Sequence, residues 1–240
     1  MLCRLRFLGD RMESMVLTPR LACIAALVPQ GARLADVGTD HGKLPVSLLL
    51  QGRLAGAIGS DIGQGPLEHA RCNAAEHGVA LSLRLAPGLQ AVLPEECDTV
   101  SIAGMGGQTI ASILAQAPWT AEGAHLLLLQ PMTMVYALRR WLWANGYAIE
   151  RETLCTEDKR QYIVLSARGG AARQTLPLAQ CAVSPALLRA PGAQDYLRRL
   201  LRREQRALDG MARGRIVDKA RLAEQMAVTQ TIRNALEGLE

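Results

Sequence analysis

"RLADVGTDHGKLPVSLLLQ", residues 33–51, reads as a short strand, a polar loop and a helix. "RLADVG" (33–38) is apolar and ends in glycine, whereas "HGKLPVSLLLQ" (41–51) has helical periodicity. The same unit then repeats. "AGAIGSD" (55–61) is strand-like, and "GQGPLEHARCNAAEHG" (63–78) is helical, with Pro66 in its first turn and Gly78 as its stop. "ALSLRLA" (80–86), "DTVSIAG" (98–104) and "HLLLLQ" (125–130) continue the strands. "GQTIASILAQA" (107–117) and "TMVYALRRWLWANG" (133–146) continue the helices. "YAIERETLC" (147–155) and "RQYIVLSAR" (160–168) are two final strands with no helix between them. Alternating strands and helices imply an α/β fold, Rossmann-like, with a mostly parallel sheet covered on both faces. The last two strands imply an antiparallel edge.

At 240 residues, 49% apolar and 20% charged, the chain has the composition of a soluble globular protein. No apolar run approaches the roughly 20 residues that span a bilayer, and Leu21–Val28 and Leu126–Leu129 are of core size. Arg4, Arg6 and Arg11 are followed by no signal-like apolar stretch, so no export signal is read and a cytoplasmic location is expected. Met12 and Met15 are alternative starts, and residues 1–14 read as an extension. Six scattered cysteines without a C-x-x-C pair, and four histidines without ligand spacing, argue against disulfides and a metal site.

Residues 15–168 are expected to form the α/β domain, 169–184 a linker, and 185–240 a basic helical hairpin or short coiled coil. Leu197, Leu200, Leu201, Leu208 and Met211 recur at helical spacing, with a break at Gly210 or Gly214. Residues 185–240 carry 11 Lys/Arg against 7 Asp/Glu, most of the overall net charge of +5. A basic appendage on a near-neutral domain points to an anionic partner, nucleic acid first, although a solvated helical surface would have the same composition.

In an open parallel sheet, ligands bind beyond the carboxyl ends of the strands. Three polar stretches fall there. In "DVGTDHGKLP" (36–45), Gly38 and Gly42 permit close backbone approach, with G-x-D-x-G spacing instead of G-x-G-x-x-G. Asp40 within that loop would repel a pyrophosphate and tolerate a cation, which disfavours a nicotinamide oxidoreductase. Asp61, closing the second strand, is placed to accept ribose hydroxyls, the alternative being a helix cap. "AGMGG" (103–107) closes the fourth strand with glycines that either make room for a planar substrate or form a tight turn.

"LADVGTDHGKLP", "GSDIGQGPLEHA", "SIAGMGG", "LLLQPM" and "LCTEDKRQYIVL", in this order and spacing, resemble the bacterial tRNA (adenine-22-N1)-methyltransferase family over about residues 15–168, with the helical tail in register. The resemblance implies a class I S-adenosylmethionine domain, a tail that holds tRNA, and methylation of adenine N1. It implies Asp40 as the catalytic carboxylate. Asp36, Gly38, Thr39, Asp61, Ile62, Gly88, Ala103 and Gly104 are expected at the cofactor. His41, Met105, Gly106, Gly107, Gln130, Pro131 and Tyr162 are expected at the base, and Arg198, Arg199, Arg202, Arg203 and Arg206 on the tRNA backbone. Pro87 stands where relatives carry an acidic residue, and Lys43 where many carry Tyr. A monomer or weak homodimer is expected, with no metal and no membrane partner. The rivals are a methyltransferase acting on a small molecule or another RNA nucleotide, and a non-catalytic RNA-binding protein on a degenerate methyltransferase fold.

Overall fold

The computed structural model describes residues 15–213 and 218–239. Residues 1–14, expected as an extension, and Gly214 lie outside the described residues. Seven strands form one sheet: β1 (Ala32–Val37), β2 (Leu54–Asp61), β3 (Ser82–Leu85), β4 (Thr99–Gly106), β5 (Leu126–Thr133), β6 (Ala148–Glu157) and β7 (Arg160–Arg168). Their spatial order is β3-β2-β1-β4-β5-β7-β6. β1 to β5 pair in parallel, and β7 runs antiparallel to both β5 and β6. The expected terminal hairpin is present, with its second strand placed inside and its first at the sheet edge. The order reverses between β1 and β4, which makes the carboxyl ends of those strands the topological switch point.

The helices are α1 (Pro19–Leu27), α2 (Lys43–Leu50), α3 (Gln64–Glu76), α4 (Gly107–Ala115), α5 (Val135–Ala144), α6 (Pro185–Leu188), α7 (Ala193–Ala212) and α8 (Lys219–Glu237). α1 is an element that the sequence reading had only as an apolar run. Thr18 caps it by accepting from the Leu21 amide, and Pro19 opens it where no N–H is needed. α7 runs through Gly210 to Ala212, so no break falls at Gly210 itself; α7 and α8 are separate helices, with α8 starting at Lys219, and a further break lies at Pro191-Gly192 between α6 and α7.

β5 shows how the core is divided. Leu127 and Leu129 point into one apolar cluster, with Ile110, Leu114, Leu138 and Leu142; Leu126 and Leu128 point into the other, with Ile24, Leu34, Leu44 and Leu48. A strand buried on both faces needs an unbroken apolar run, and "LLLL" supplies it. The C-terminal helices belong to the first cluster through Leu187, Leu197, Leu200, Val228 and Ile232. Of the stretch 169–184, expected as a linker, residues 172–175 are exposed, whereas a 3-10 turn at Leu178–Cys181 leads into the buried Ala182 and Ser184.

Arg139 of α5 is fully buried. Its Nε and Nη2 donate to the two carboxylate oxygens of Glu152 on β6, at 2.8 and 2.7 Å. Its Nη1 donates to the carbonyls of Cys181 and Ala182, and Ser184 Oγ donates to Glu152 Oε1 at 2.7 Å. One bidentate pair therefore joins α5, the edge strand and the approach to the tail. Removing one partner strands a buried charge, which costs about 3–5 kcal/mol. Arg139→Ala is expected to lose that much in urea unfolding, while Arg139→Met combined with Glu152→Leu loses less than either single change. A single-variant loss under about 1 kcal/mol would show that the pair does not hold these elements together.

Candidate active site

β1 ends at Asp36 and Val37, and the loop that follows is hung on β2. The amides of Gly38 and Thr39 donate to the Ser60 carbonyl at 2.7 and 3.1 Å. Asp36 is 6% exposed and accepts from Thr39 Oγ1 at 2.8 Å. Burial pushes its carboxyl up to about 6, against the opposing hydrogen bond from Thr39. Asp40 stands at φ +51°, in the left-handed region, with an exposed carboxylate 3.6 Å from His41 Nε2. Its amide donates to Asp61 Oδ2 at 3.3 Å. Asp61 Oδ1 accepts from the amide of Gly63, the N-cap of α3, at 2.9 Å. Asp61 is thus a loop and helix cap, and each of its oxygens keeps a further lone pair for a ligand. Ser60 Oγ donates to the Gly88 carbonyl at 2.6 Å and ties the loop after β3 to the same corner.

Three features of this corner escaped the sequence reading. His41, which was expected there, stacks on His69, with ring centroids 4.7 Å apart and planes 2° from parallel. Nothing in the sequence signals this pair, because the two rings come together across a loop. Leu85 at the end of β3 is exposed, as is Ile62 just beyond β2, giving two apolar side chains at adjacent strand ends.

The third is Arg20 of α1. Its Nη1 donates to Gln130 Oε1 at 2.9 Å, and the same oxygen accepts from the Gly104 amide at 3.1 Å. Gln130 is fully buried and its Nε2 donates to the Pro131 carbonyl at 3.1 Å, so its amide has one orientation. The Arg20 guanidinium also lies 6.0 Å from the Tyr162 ring centroid. Its backbone amide donates to Glu157 Oε2 at 2.9 Å. The Thr18-Pro19 start of α1 was the available signal for the helix; nothing local marked the contact.

Other expected residues are occupied by packing. A side chain at Gly107 would come within 2.5 Å of the Met134 carbonyl and 3.1 Å of Leu138. Gly107 therefore serves the close approach of α4 to the start of α5. A side chain at Gly88 would meet Ile113 at 2.8 Å, so that glycine faces α4 while only its carbonyl faces Ser60. Gly42 is pressed against Ala70 and Leu81. Gly38 faces the terminal methyl of Met105, a movable group, which joins the AGMGG turn to the Asp40 loop. Ala103, Gly104 and Gly106 lie at the end of β4 with Gly104 exposed.

Pro131, Tyr162, Arg199 and Arg203, expected on separate grounds, line one cavity of about 320 Å³ between the end of β5, β7 and α7. Arg203 is partly committed there, since its Nε and Nη2 donate to Glu204 Oε1 at 2.9 and 2.7 Å. Arg198, Arg202 and Arg206 are exposed on α7 outside this cavity, and Arg198 pairs with Asp195 at 3.4 Å.

A buried carboxylate closing β1, a carboxylate closing β2 and glycine turns at the switch point define a Rossmann-like nucleoside-binding site of the methyltransferase class. Residues 17–165 match the methyltransferase-domain family, to which the chain belongs. Over 161 residues it is 36% identical to the tRNA (adenine(22)-N(1))-methyltransferase of Bacillus subtilis, covering 66% of this chain and 68% of that protein. The crystal structure of the B. subtilis m1A22 tRNA methyltransferase superposes with a TM-score of 0.81 at 29% identity, over 92% of this chain and 99% of that one. A putative tRNA (m1A22) methyltransferase of Streptococcus pneumoniae, solved in complex with S-adenosyl-L-methionine, superposes with a TM-score of 0.76 at 29% identity, over 92% and 100% of the two chains. The chain belongs to the tRNA (adenine-22-N1)-methyltransferase family.

Asp36 makes stability depend on pH in a fixed direction. Its carboxyl is raised from the ordinary 3.8 to about 6, so the ligand-free fold binds this proton more tightly than the unfolded chain does. The group's contribution is most favourable below about pH 4 and is lost as pH rises through about 6, a change of about 3 kcal/mol. Unfolding of the ligand-free protein across pH 4–7 is expected to show this loss in the wild type. Asp36→Asn should lack it and be the more stable form at pH 7. Equal slopes for the two proteins would place the titration elsewhere.

Proposed function

We propose that the protein transfers a methyl group from S-adenosylmethionine to N1 of an adenine in tRNA, at position 22. The observation that carries this reading is the convergence of Asp36, Asp40 and Asp61 on one corner, in a chain 36% identical to a tRNA (adenine(22)-N(1))-methyltransferase.

The residues at the strand ends fit the cofactor. Ionised Asp36 is short of a counter-charge in its buried site, and the ammonium of the cofactor's amino acid end would supply one. The outward lone pairs of Asp61 suit ribose hydroxyls. Ile62 and Leu85 offer an apolar clamp for the cofactor's adenine, which takes the place of the acidic contact that Pro87 cannot make. When bound, S-adenosylmethionine supplies an electrophilic methyl on a sulfonium.

Adenine N1 has an in-plane lone pair, so the protein needs no base to free it. Its task is orientation, plus stabilisation of the positive charge that grows on the ring. Asp40 accepts a hydrogen bond from the exocyclic amine and faces that charge. The left-handed backbone at Asp40 and the bond from its amide to Asp61 fix where the carboxylate stands. Met105, Gly106, Gln130, Pro131 and Tyr162 line the base pocket, and Arg20 locks Gln130 in place. A base within folded tRNA must be turned out to reach this pocket. Arg198, Arg199, Arg202 and Arg206 contact phosphates, with residues 185–240 acting as a tRNA-holding unit beside a catalytic unit of residues 15–168. The enzyme works in the cytoplasm as a monomer or weak homodimer.

With labelled S-adenosylmethionine and unmodified tRNA, nucleoside analysis is expected to show 1-methyladenosine for the wild type. Asp40→Ala should lower kcat about 10²–10³-fold while leaving cofactor affinity unchanged. Label in a different nucleoside would move the acceptor, and an unchanged kcat would reduce Asp40 to a loop residue.

A further inference from the structure

The cavity between the end of β5, β7 and α7 shares no lining residue with the corner formed by Asp36, Asp40 and Asp61, and its lining is unlike a packing defect. Lys159 of the β6–β7 turn, Arg160 at the start of β7 and Arg199 of α7 bring positive charge to it, while Arg203, also in the lining, is paired with Glu204. Its other walls include Pro131, Met132 and Tyr162, which can take the face of a planar ring. Gln161, also in the lining, has an Oε1 that accepts no hydrogen bond among the described residues and has almost no accessible surface, so a ligand in the cavity meets it only once the side chain turns. Such an acceptor is satisfied by an ordered water or by a ligand donor. Cations for a phosphate, flat surfaces for a base and an acceptor for an amine or hydroxyl together describe a ribonucleotide.

The location is equally specific. Pro131 and Tyr162 belong to both this cavity and the β5 end of the active site, where Gln130 binds the Gly104 amide and Arg20 reaches toward the Tyr162 ring. At about 320 Å³ the space is at the small end of ligand pockets. We propose that this cavity is a second nucleotide subsite, which holds the base and phosphate of the residue next to the target adenine in the same RNA strand. It would grip the strand at the point where the target leaves the stack, with Gln161 reading a donor on the neighbouring base or ribose. The proposal rests on tRNA being the substrate.

The test uses the full-length protein and full-length tRNA transcripts that carry an abasic nucleotide on the 5′ or the 3′ side of the target adenine. For the wild type, one of the two is expected to lower kcat/KM about tenfold or more relative to intact tRNA. Gln161→Leu should lower kcat/KM on intact tRNA and lose most of its sensitivity to that abasic site. Lys159→Ala combined with Arg199→Ala should raise KM and reduce the salt slope of tRNA binding by about one. Unchanged S-adenosylmethionine affinity in each variant confirms that it is folded, and the abasic series decides the point on the wild type alone. If neither abasic transcript affects the wild type, or Gln161→Leu responds as the wild type does, the cavity holds no neighbouring base. If the wild type forms no 1-methyladenosine on intact tRNA, both the substrate reading and the subsite fall, and that result needs no variant to be seen.

Discussion

The arrangement of the molecule depends on one buried ion pair, Arg139 with Glu152. A charge with no exposure is tolerable only where it is well paired, and Arg139 places four N–H groups on a carboxylate and two carbonyls. The geometry of a bidentate guanidinium allows little slack. It sets α5 against the edge strand β6 and draws residues 181–184 onto the same point. Once those residues are placed, α6 and α7 follow, and the arginine-bearing side of α7 arrives beside the end of β5. Apolar packing would join these elements at similar or lower cost, but it would fix their relative position less strictly. The Glu204 side chain repeats the device further along, accepting from Tyr136 and Gln225 and so tying α5, α7 and α8.

The basic tail is therefore no detachable module. Its leucines Leu187, Leu197 and Leu200 belong to the cluster on one face of the sheet. The arginines of α7 and the loops at the strand ends are parts of one packed body, which suits the proposed reaction, whose acceleration comes mainly from alignment. The same economy holds at Asp36. The ligand-free protein carries a carboxylate whose burial raises its pKa to about 6, a local instability that a bound cation would relieve. A cation bound beside Asp36 would thereby stabilise the fold as well as the complex.

How much of this was legible in the sequence follows from the range of each interaction. The strands of the parallel sheet could be read because burial on both faces demands short apolar runs, and "LLLL" at 126–129 admits no other placement in such a sheet. Asp36, Asp40 and Asp61 could be read because polar residues that close such strands have a defined place in the fold. Arg20 could not, since its bond to Gln130 spans 110 residues. The glycines mark the boundary most sharply. Spacing shows that a glycine is needed but not which side needs it, so Gly107 and Gly88, which face α5 and α4, looked the same as Gly104, which is exposed.

The AGMGG turn combines both answers. Gly107 lets α4 start hard against Met134, and that contact anchors the turn to the start of α5. Gly104, with its amide held by Gln130, leaves its exposed face open at the mouth of the site. Met105 lies between them and spans to Gly38, so its flexible thioether is the one movable contact among fixed ones. A turn built this way is rigid in its backbone and adaptable in a single side chain. A rotamer change at Met105 would therefore alter the space beside the Asp40 loop without rearranging the sheet.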